Sequence, residues 1–282
     1  MIPRVDLHLH TTASDGRCTP AELVERAAEA RLTVMAVTDH DTTAAIGAVQ
    51  RVARDRNIAA VSGIEITSME AGGDLHVLGY FFDPADAALE TFLATQRRAR
   101  VARVEAISQR LAALGTPVDI GPLLDSAHRD PARSIGRPQL ARAMVDAGYV
   151  ADMREAFDRW LGSGAPAFVA RSGPTPEETI AVIHAAGGLA SLAHPGADDV
   201  TPARISALAA SGLDAIEVFH SDHDTVMTER YAVLARELRL LMTGGSDFHG
   251  DPSHGLTPGS VTLPAEEWDR LWAAGQRGRA DA

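Results

Sequence analysis

The sequence predicts an α/β protein built on a parallel barrel or a doubly wound sheet. Three observations carry that prediction. Short β-branched runs alternate with helical runs in the first ninety residues and again after about residue 172. Polar loops rich in His, Asp and Ser follow the strand-like runs, where functional residues lie in such folds. A helical stretch without a convincing strand, about Leu89 to Arg171, interrupts the alternation.

The first element is Val5-Asp6-Leu7-His8-Leu9-His10, in which apolar and polar residues alternate with period two. His8 and His10 therefore share a face, and a short loop presents Asp15 beside Gly16. Two imidazoles and a nearby carboxylate suit a divalent metal; the alternative is a hydrogen-bonded histidine pair in a polar barrel mouth. Thr19-Pro20 opens a helix that runs to about Ala30. A strand from Thr33 to Thr38 delivers Asp39-His40-Asp41, and a helix covers about Ala44 to Asp55. Ala59 to Ile66 is a strand with Glu65 near its end. Gly72-Gly73 turns the chain into a strand from Asp74 to Phe82, on which His76, Leu78 and Tyr80 share a face.

Within the interruption, Thr91 to Leu114 reads as a long helix carrying Arg97, Arg98, Arg100, Arg103 and Arg110. A phosphate-reading surface is one reading of this run; a solvated face is the expectation for most of these arginines. Shorter helices follow at about Arg137 to Ala147 and Met153 to Leu161. The alternation then resumes with a helix from Glu177 to Ala186, a strand from Leu189 to Ala193 leading to His194-Pro195, and a helix from Pro202 to Ser211. Leu213 to Phe219 is a strand leading to His220 and His223, followed by a helix from Thr225 to Arg239. Leu240 to Thr243 is a strand opening into Gly244-Gly245-Ser246-Asp247-Phe248-His249. A strand from Ser260 to Leu263 and a last helix complete the pattern. The expected division is a barrel from 1–90 and 172–282, with a helical insertion subdomain, 91–171, over its mouth.

Composition narrows the chemistry. The 282 residues are 45% hydrophobic, enough for one large domain or one domain with an insertion. A net charge of −12 disfavours long nucleic acid and anionic membranes, which repel it, but not a small anion held by local positive charge. All 26 basic residues are arginine, which excludes a Schiff-base lysine, a P-loop lysine and a lysine carbamate bridging two metals. Cys18 is the single cysteine, so no intrachain disulfide or thiolate cluster forms. No apolar run approaches the roughly 20 residues needed to span a bilayer, and no basic-then-apolar leader precedes the first strand. A cytoplasmic protein with no obligate protein partner is expected.

The polar residues assigned to C-terminal strand ends are His8, His10, Asp15, His40, Glu65, His76, His194, Asp247 and His249. Six imidazoles and three carboxylates exceed the needs of one ion, so two or three ions sharing carboxylates are expected. Three divalent ions against three carboxylates would leave a positive pocket that attracts phosphate. Asp39 is expected to support His40, and His128, His184 and His254 to be surface or structural residues.

The motifs His8-Leu9-His10, Ser14-Asp15-Gly16, Thr38-Asp39-His40-Asp41, Glu65, His76, Ala193-His194-Pro195 and Gly245-Ser246-Asp247-Phe248-His249 together resemble the polymerase and histidinol phosphatase (PHP) family. The likeness covers the chain outside the insertion. It implies a distorted (β/α)7 TIM-like barrel, a trinuclear metal site and phosphoester hydrolysis. By the same resemblance His8, His10, Glu65 and Asp247 would hold one metal, Glu65, His76 and His194 a second, and Asp15, His40 and His249 a third. Manganese is the expected metal, with iron and zinc as alternatives. Gly136-Arg137-Pro138, Ala156 to Leu161, Ala167-Phe168-Val169 and Glu217 to His220 resemble the TrpH-like branch, although Gln139 stands where many relatives carry His. That branch includes 3',5'-nucleoside bisphosphate phosphatases and 5'-3' exoribonucleases acting on short RNA.

The expected reaction is removal of the 3'-phosphate from a 3',5'-bisphosphonucleoside, such as adenosine 3',5'-bisphosphate, by a metal-activated hydroxide. Metal binding lowers the pKa of water from 15.7 toward about 7. Catalysis is expected to rest on Asp247, Glu65 and His223, the last as proton donor to the leaving oxygen. Arg137, Arg171, Ser134, His220 and His223 are the candidates for substrate contact, because guanidinium forks suit phosphate. The alternatives are a short-RNA exoribonuclease, a histidinol-phosphate phosphatase and a non-catalytic metal-stabilised binding module.

Overall fold

Seven strands form one sheet in the order β1-β2-β3-β4-β5-β6-β7 in a computed structural model that describes residues 2–70, 73–251 and 255–280. They are β1 (Val5–Asp6), β2 (Val34–Val37), β3 (Ala59–Glu70), β4 (Gly73–Tyr80), β5 (Leu189–Leu192), β6 (Ala215–Phe219) and β7 (Leu241–Gly244). Leu7 N–H donates to Gly244 O at 3.1 Å and His10 N–H to Phe248 O at 3.0 Å. A parallel bridge joins Leu9 to Phe248. The first and last strands therefore meet, and the sheet curls into a nearly closed barrel. Gly72 of the expected turn and His254 lie outside the described residues.

The helices are α1 (Pro20–Glu29), α2 (Ile46–Asp55), α3 (Ala87–Ala113), α4 (Gly121–Arg129), α5 (Arg137–Asp146), α6 (Met153–Ala156), α7 (Pro176–Ala185), α8 (Pro202–Ala210), α9 (Thr225–Leu238) and α10 (Ala265–Ala280). Local chemistry explains where several begin. Thr19 accepts from Glu22 N–H at 3.3 Å while Glu22 accepts from Thr19 N–H at 2.8 Å. Thr175 and Glu178 repeat that capping box at α7. Loss of such a cap costs about 1 kcal/mol.

All sheet pairings are parallel except those of β4, which is antiparallel to both β3 and β5. The cause is the short link after Glu70: parallel strands need a crossover of a dozen or more residues, and none fits there. This corrects the expectation for His76. It belongs to the first half of β4, opposite Thr67, and shares a rim with the C-terminal ends of the other strands only because β4 is reversed.

Three apolar groups hold the molecule. Leu9, Met35, Ile64, Ile66, Val77, Ile216 and neighbours bind the sheet to its flanking helices. Val5, Leu7, Ala36, Leu78, Tyr80, Trp268 and Leu271 pack strands against α10. Val104, Ile107, Leu111, Leu140, Met144, Leu161 and Ala167 form a separate core among the intervening helices. The 27-residue α3 serves two of these groups: Leu89 and Leu93 belong to the first, Val104, Ile107 and Leu111 to the third.

Other details differ from the sequence reading. Ser260 to Leu263 is not a strand; a single antiparallel bridge ties Leu263 to Val5. The helix expected from Met153 to Leu161 is α6 followed by a π-helical turn, Phe157–Leu161. The arginine run on α3 divides. Arg98 and Arg110 are exposed, whereas Arg97 and Arg103 are buried and Arg100 is nearly so. Among the described residues no helix is long and apolar enough to cross a membrane.

Candidate metal centre

Period-two alternation turns Asp6, His8 and His10 to one side, and all three are fully buried. Glu65 lies at the middle of their surroundings. Its Oε2 is 3.3 Å from His8 Nε2, 3.3 Å from His10 Nε2 and 3.2 Å from His40 Nδ1. Its Oε1 is 2.9 Å from His76 Nδ1 and 3.1 Å from His194 Nε2. Asp247 Oδ1 sits 3.2 Å from His8 Nε2 and 3.1 Å from His10 Nε2. Asp15 approaches His40 Nε2 at 3.5 Å and His249 Nε2 at 3.4 Å. All nine residues collected from the sequence thus converge. His194 and Asp247 hold φ of +22° and +51°, positive values that non-glycine residues adopt at a cost and that cluster at functional sites.

The donor atoms fall into overlapping sets, each with atoms within 4.8 Å of one another: His10, Asp15, His40 and His249; His8, His220 and Asp247; His8, His10 and Glu65; His40, Glu65 and His76; His76, His194 and Asp198. His10 belongs to two of these sets. His220, expected only as a substrate contact, stands beside Asp247, with Nε2 3.6 Å from Oδ2.

The chemistry of this donor set fits divalent metal. Both ring nitrogens of His10, Nδ1 of His40 and of His194, and Nε2 of His220 are buried without hydrogen bonds. Buried polar atoms are rarely left so, and these nitrogens face carboxylate oxygens without forming aligned hydrogen bonds to them. Burial works against charge on Glu65, Asp15 and Asp247, but the surrounding imidazoles hold all three well below the usual carboxylate range. Burial pushes His40 down to about 3 despite Glu65 and Asp15, so its ring is neutral as a ligand requires. Nitrogen and oxygen donors without sulfur suit manganese, iron or zinc.

Beside this cluster lies a cavity of about 190 Å³ lined by His40, Thr67, Asp74, His76, Arg100, Arg103, Arg137 and Phe157. Arg103 and Arg137 each reach Asp74 Oδ2 at 2.9 Å. Arg100 and Arg171 reach Asp41 Oδ2 at 2.5 and 3.3 Å. Four guanidiniums therefore meet two carboxylates. Burial, together with the like charges of Arg103, Arg100 and Arg171, pushes Arg137 down to about 10 even though Asp74 opposes the shift. Arg137 also lies over the Phe157 ring, 5.6 Å from its centroid. A larger cavity of about 720 Å³ lies on the other flank, bordered by Asp15, Asp247, His249, Pro138, Met153, Phe157 and Leu256 among others.

The remaining candidates are placed as follows. Arg171 is buried, donating to Thr67 O at 2.8 Å. Ser134 is buried and its Oγ has no hydrogen-bond partner. Gln139 accepts from Gly136 N–H at 2.8 Å and donates to Ser14 O at 2.7 Å, which ties α5 to the Asp15 loop. His223 does not match the expected proton donor. Its Nδ1 is 3.0 Å from Val218 O, and its Nε2 accepts from Gly196 N–H at 3.1 Å. Both nitrogens are spent on backbone, and burial lowers its pKa. Asp39 accepts from Thr11 N–H at 2.7 Å and Ser14 Oγ–H at 2.6 Å, so it braces the loop carrying Asp15 and does not touch the His40 ring.

The sequence reading named Arg100 and Arg103 within a run that it preferred to place mostly on a solvated face and did not single them out for the site, although the 97, 100, 103 spacing places them on one helix face. It missed Asp198, which pairs with His194 Nδ1 at 3.1 Å. It also left Glu217 without a role, although that carboxylate interrupts the apolar run Ala215 to Phe219.

A family model described as the PHP domain matches residues 6–149. The 5'-3' exoribonuclease Rnm of Salmonella typhimurium is 37% identical over 250 residues, which cover 86% of this chain and 84% of that protein. The 3',5'-nucleoside bisphosphate phosphatase of Chromobacterium violaceum is 34% identical over 261 residues, 90% of each chain. A solved structure from Bifidobacterium adolescentis, assigned provisionally as a metal-dependent phosphoesterase, superposes with a TM-score of 0.86 at 29% identity over 95% of each chain.

Proposed function

The chain belongs to the PHP domain family, and from that membership we propose that it removes the 3'-phosphate from 3',5'-bisphosphonucleosides, leaving the 5'-monophosphate. The observation that carries this reading is the arginine-lined cavity beside the donor cluster. Its excess of guanidinium charge suits a second phosphate, the 5' one, while the 3'-phosphate would lie at the cluster. Residues 91–171 are taken as a helical subdomain whose α3 and α5 contribute Arg100, Arg103 and Arg137 to that cavity.

The proposed ligands are the nine converging residues, with His220 added beside Asp247. Two or three divalent ions bound there, manganese by preference, would supply the Lewis acidity that ionises water and neutralises phosphoryl charge. The chain's own residues do the rest. Glu65, Asp15 and Asp247 stay ionised and His40 stays neutral, whereas the carboxylates facing His8, His194 and His249 raise those imidazoles despite burial, so these three rings release protons as metal binds. Asp74 and Asp41 orient the guanidiniums that would grip the second phosphate. Ser134 is buried and is not among the residues lining either cavity, so its contact with substrate is not retained. Arg171 supports Asp41 from below, and its direct contact with substrate is not retained.

The open cavity of about 720 Å³ favours a second reading, a 5'-3' exoribonuclease on short RNA. The same arginine cavity would take the terminal 5'-phosphate, and the chain beyond the scissile ester would leave through the open side. Either substrate is consistent with a cytoplasmic enzyme.

The test measures phosphate or nucleotide release from adenosine 3',5'-bisphosphate, histidinol phosphate and a short 5'-phosphorylated RNA, in parallel with metal content. Fastest turnover of the bisphosphate is expected. A metal-loaded protein that acts on neither nucleotide substrate would overturn the proposal.

A further inference from the structure

We propose that Glu217 is a positioning residue that sets two metal-facing histidines at once, the ring of His8 and the backbone of His194. The proposal rests on reading the cluster as a metal centre.

Glu217 lies on β6 and is fully buried. The strand register shifts between Glu217 and Phe219, an irregularity of the kind that re-aims side chains beside functional sites. The two carboxylate oxygens are used separately. Oε1 accepts from His8 Nδ1–H at 2.9 Å. Oε2 accepts from His194 N–H at 2.8 Å. Glu217 thereby holds a proton at Nδ1 and leaves Nε2 as the ring atom turned to the cluster, 3.3 Å from Glu65 Oε2 and 3.2 Å from Asp247 Oδ1. His194 is held where its φ is +22°, a backbone conformation that needs outside support. Its Nε2 then lies 3.1 Å from Glu65 Oε1. One carboxylate therefore governs donors on both sides of Glu65: His8 in the sets shared with His10 and Asp247, His194 in the set shared with His76.

Glu217→Gln tests this with little change of shape. An amide offers one acceptor and one N–H₂ donor to two partners that both donate. Either the His194 N–H loses its acceptor, or the amide donates to His8 Nδ1 and drives the ring proton to Nε2, the atom facing the cluster. Zinc stoichiometry and affinity are measured by chelator competition. The protonated nitrogen of His8 is read by ¹⁵N NMR of the zinc-loaded protein.

The wild type is expected to show His8 protonated at Nδ1. The variant is expected to lose affinity by roughly ten- to a hundredfold. The loss should be smaller when Glu217→Gln is added to His8→Ala, because only the His194 contact then remains to be broken. Equal affinity and stoichiometry in wild type and variant would overturn the proposal alone. A zinc-loaded wild type protonated at His8 Nε2 would overturn it even if the variant fails to fold. A wild type that binds no zinc or manganese would overturn the metal reading as well.

Discussion

Asp74, near the start of the reversed strand β4, and Arg137, in the first turn of α5, meet at 2.9 Å across the mouth of the barrel. Because Arg103 holds the same carboxylate oxygen, Asp74 does not depend on Arg137 for a partner. Its carboxyl is opposed by burial but held down to about 2 by Arg137 and Arg103. Arg137→Ala should therefore leave the fold in place and weaken recognition. A charge-assisted hydrogen bond contributes about 1.5–3 kcal/mol, so KM for a bisphosphate should rise roughly ten- to a hundredfold. KM for a simple aryl phosphate should change much less. Equal effects on both would remove Arg137 from substrate recognition.

Asp247→Ala withdraws the carboxylate shared by His8 and His10 and adjoining His220. Phosphate release is expected to fall below detection, with far-UV circular dichroism unchanged. Turnover at the wild-type rate in that variant would show that the residue is dispensable.

Removal of metal should destabilise the protein, because ions bind the folded cluster and not the unfolded chain. At a free metal concentration a hundred times the dissociation constant, one site contributes about 2.7 kcal/mol. Exhaustive chelation should then lower Tm by roughly 5 °C per site of that affinity. Manganese is expected to restore both Tm and activity; a melting curve indifferent to chelator and metal would count against a bound ion.

His184 and Asp214 give a pH signature away from the cluster. Their hydrogen bond, 2.7 Å between Nε2 and Oδ2, raises the imidazole pKa over the opposing effect of burial. A raised folded-state value means that the contribution is complete below the unfolded value of about 6.5 and is lost as pH rises through the folded one. The Tm gap between wild type and His184→Gln should be widest near pH 5.5 and close at alkaline pH. A gap that is constant across that range would show that the pair does not titrate with folding.

Much of this arrangement was legible because strand chemistry is local. Val5 to His10 announces its two faces by alternation, and Asp15, His40, His194 and Asp247 follow apolar runs in a repeating order. The hairpin carrying His76 was half legible. The paired glycines marked a tight turn, and a tight turn implies reversal, but the surrounding alternation suggested parallel strands throughout. Gly121-Pro122 opens α4 with a proline in its first turn, a start signal that the sequence reading did not use. The role of Glu217 was beyond reach, since its partners His8 and His194 lie past the ends of β1 and β5 and only the folded sheet brings them near. Arg100 and Arg103 fell between these cases: their spacing was visible, while the carboxylates that draw them inward were not.

The seam from Leu9 to Phe248 has a consequence for how the enzyme comes into being. The segment that closes the barrel also bears Asp247 and His249, so the segments around residues 9 and 248, far apart along the chain, must find each other before the donor set exists. A nascent chain halted short of residue 247 can fold local hairpins and helices, yet it lacks both the closing segment and two of the nine donors. Contacts so distant along the chain form slowly. Catalytic competence should therefore arrive abruptly, once the segment through residue 249 is in place, and not grow with chain length.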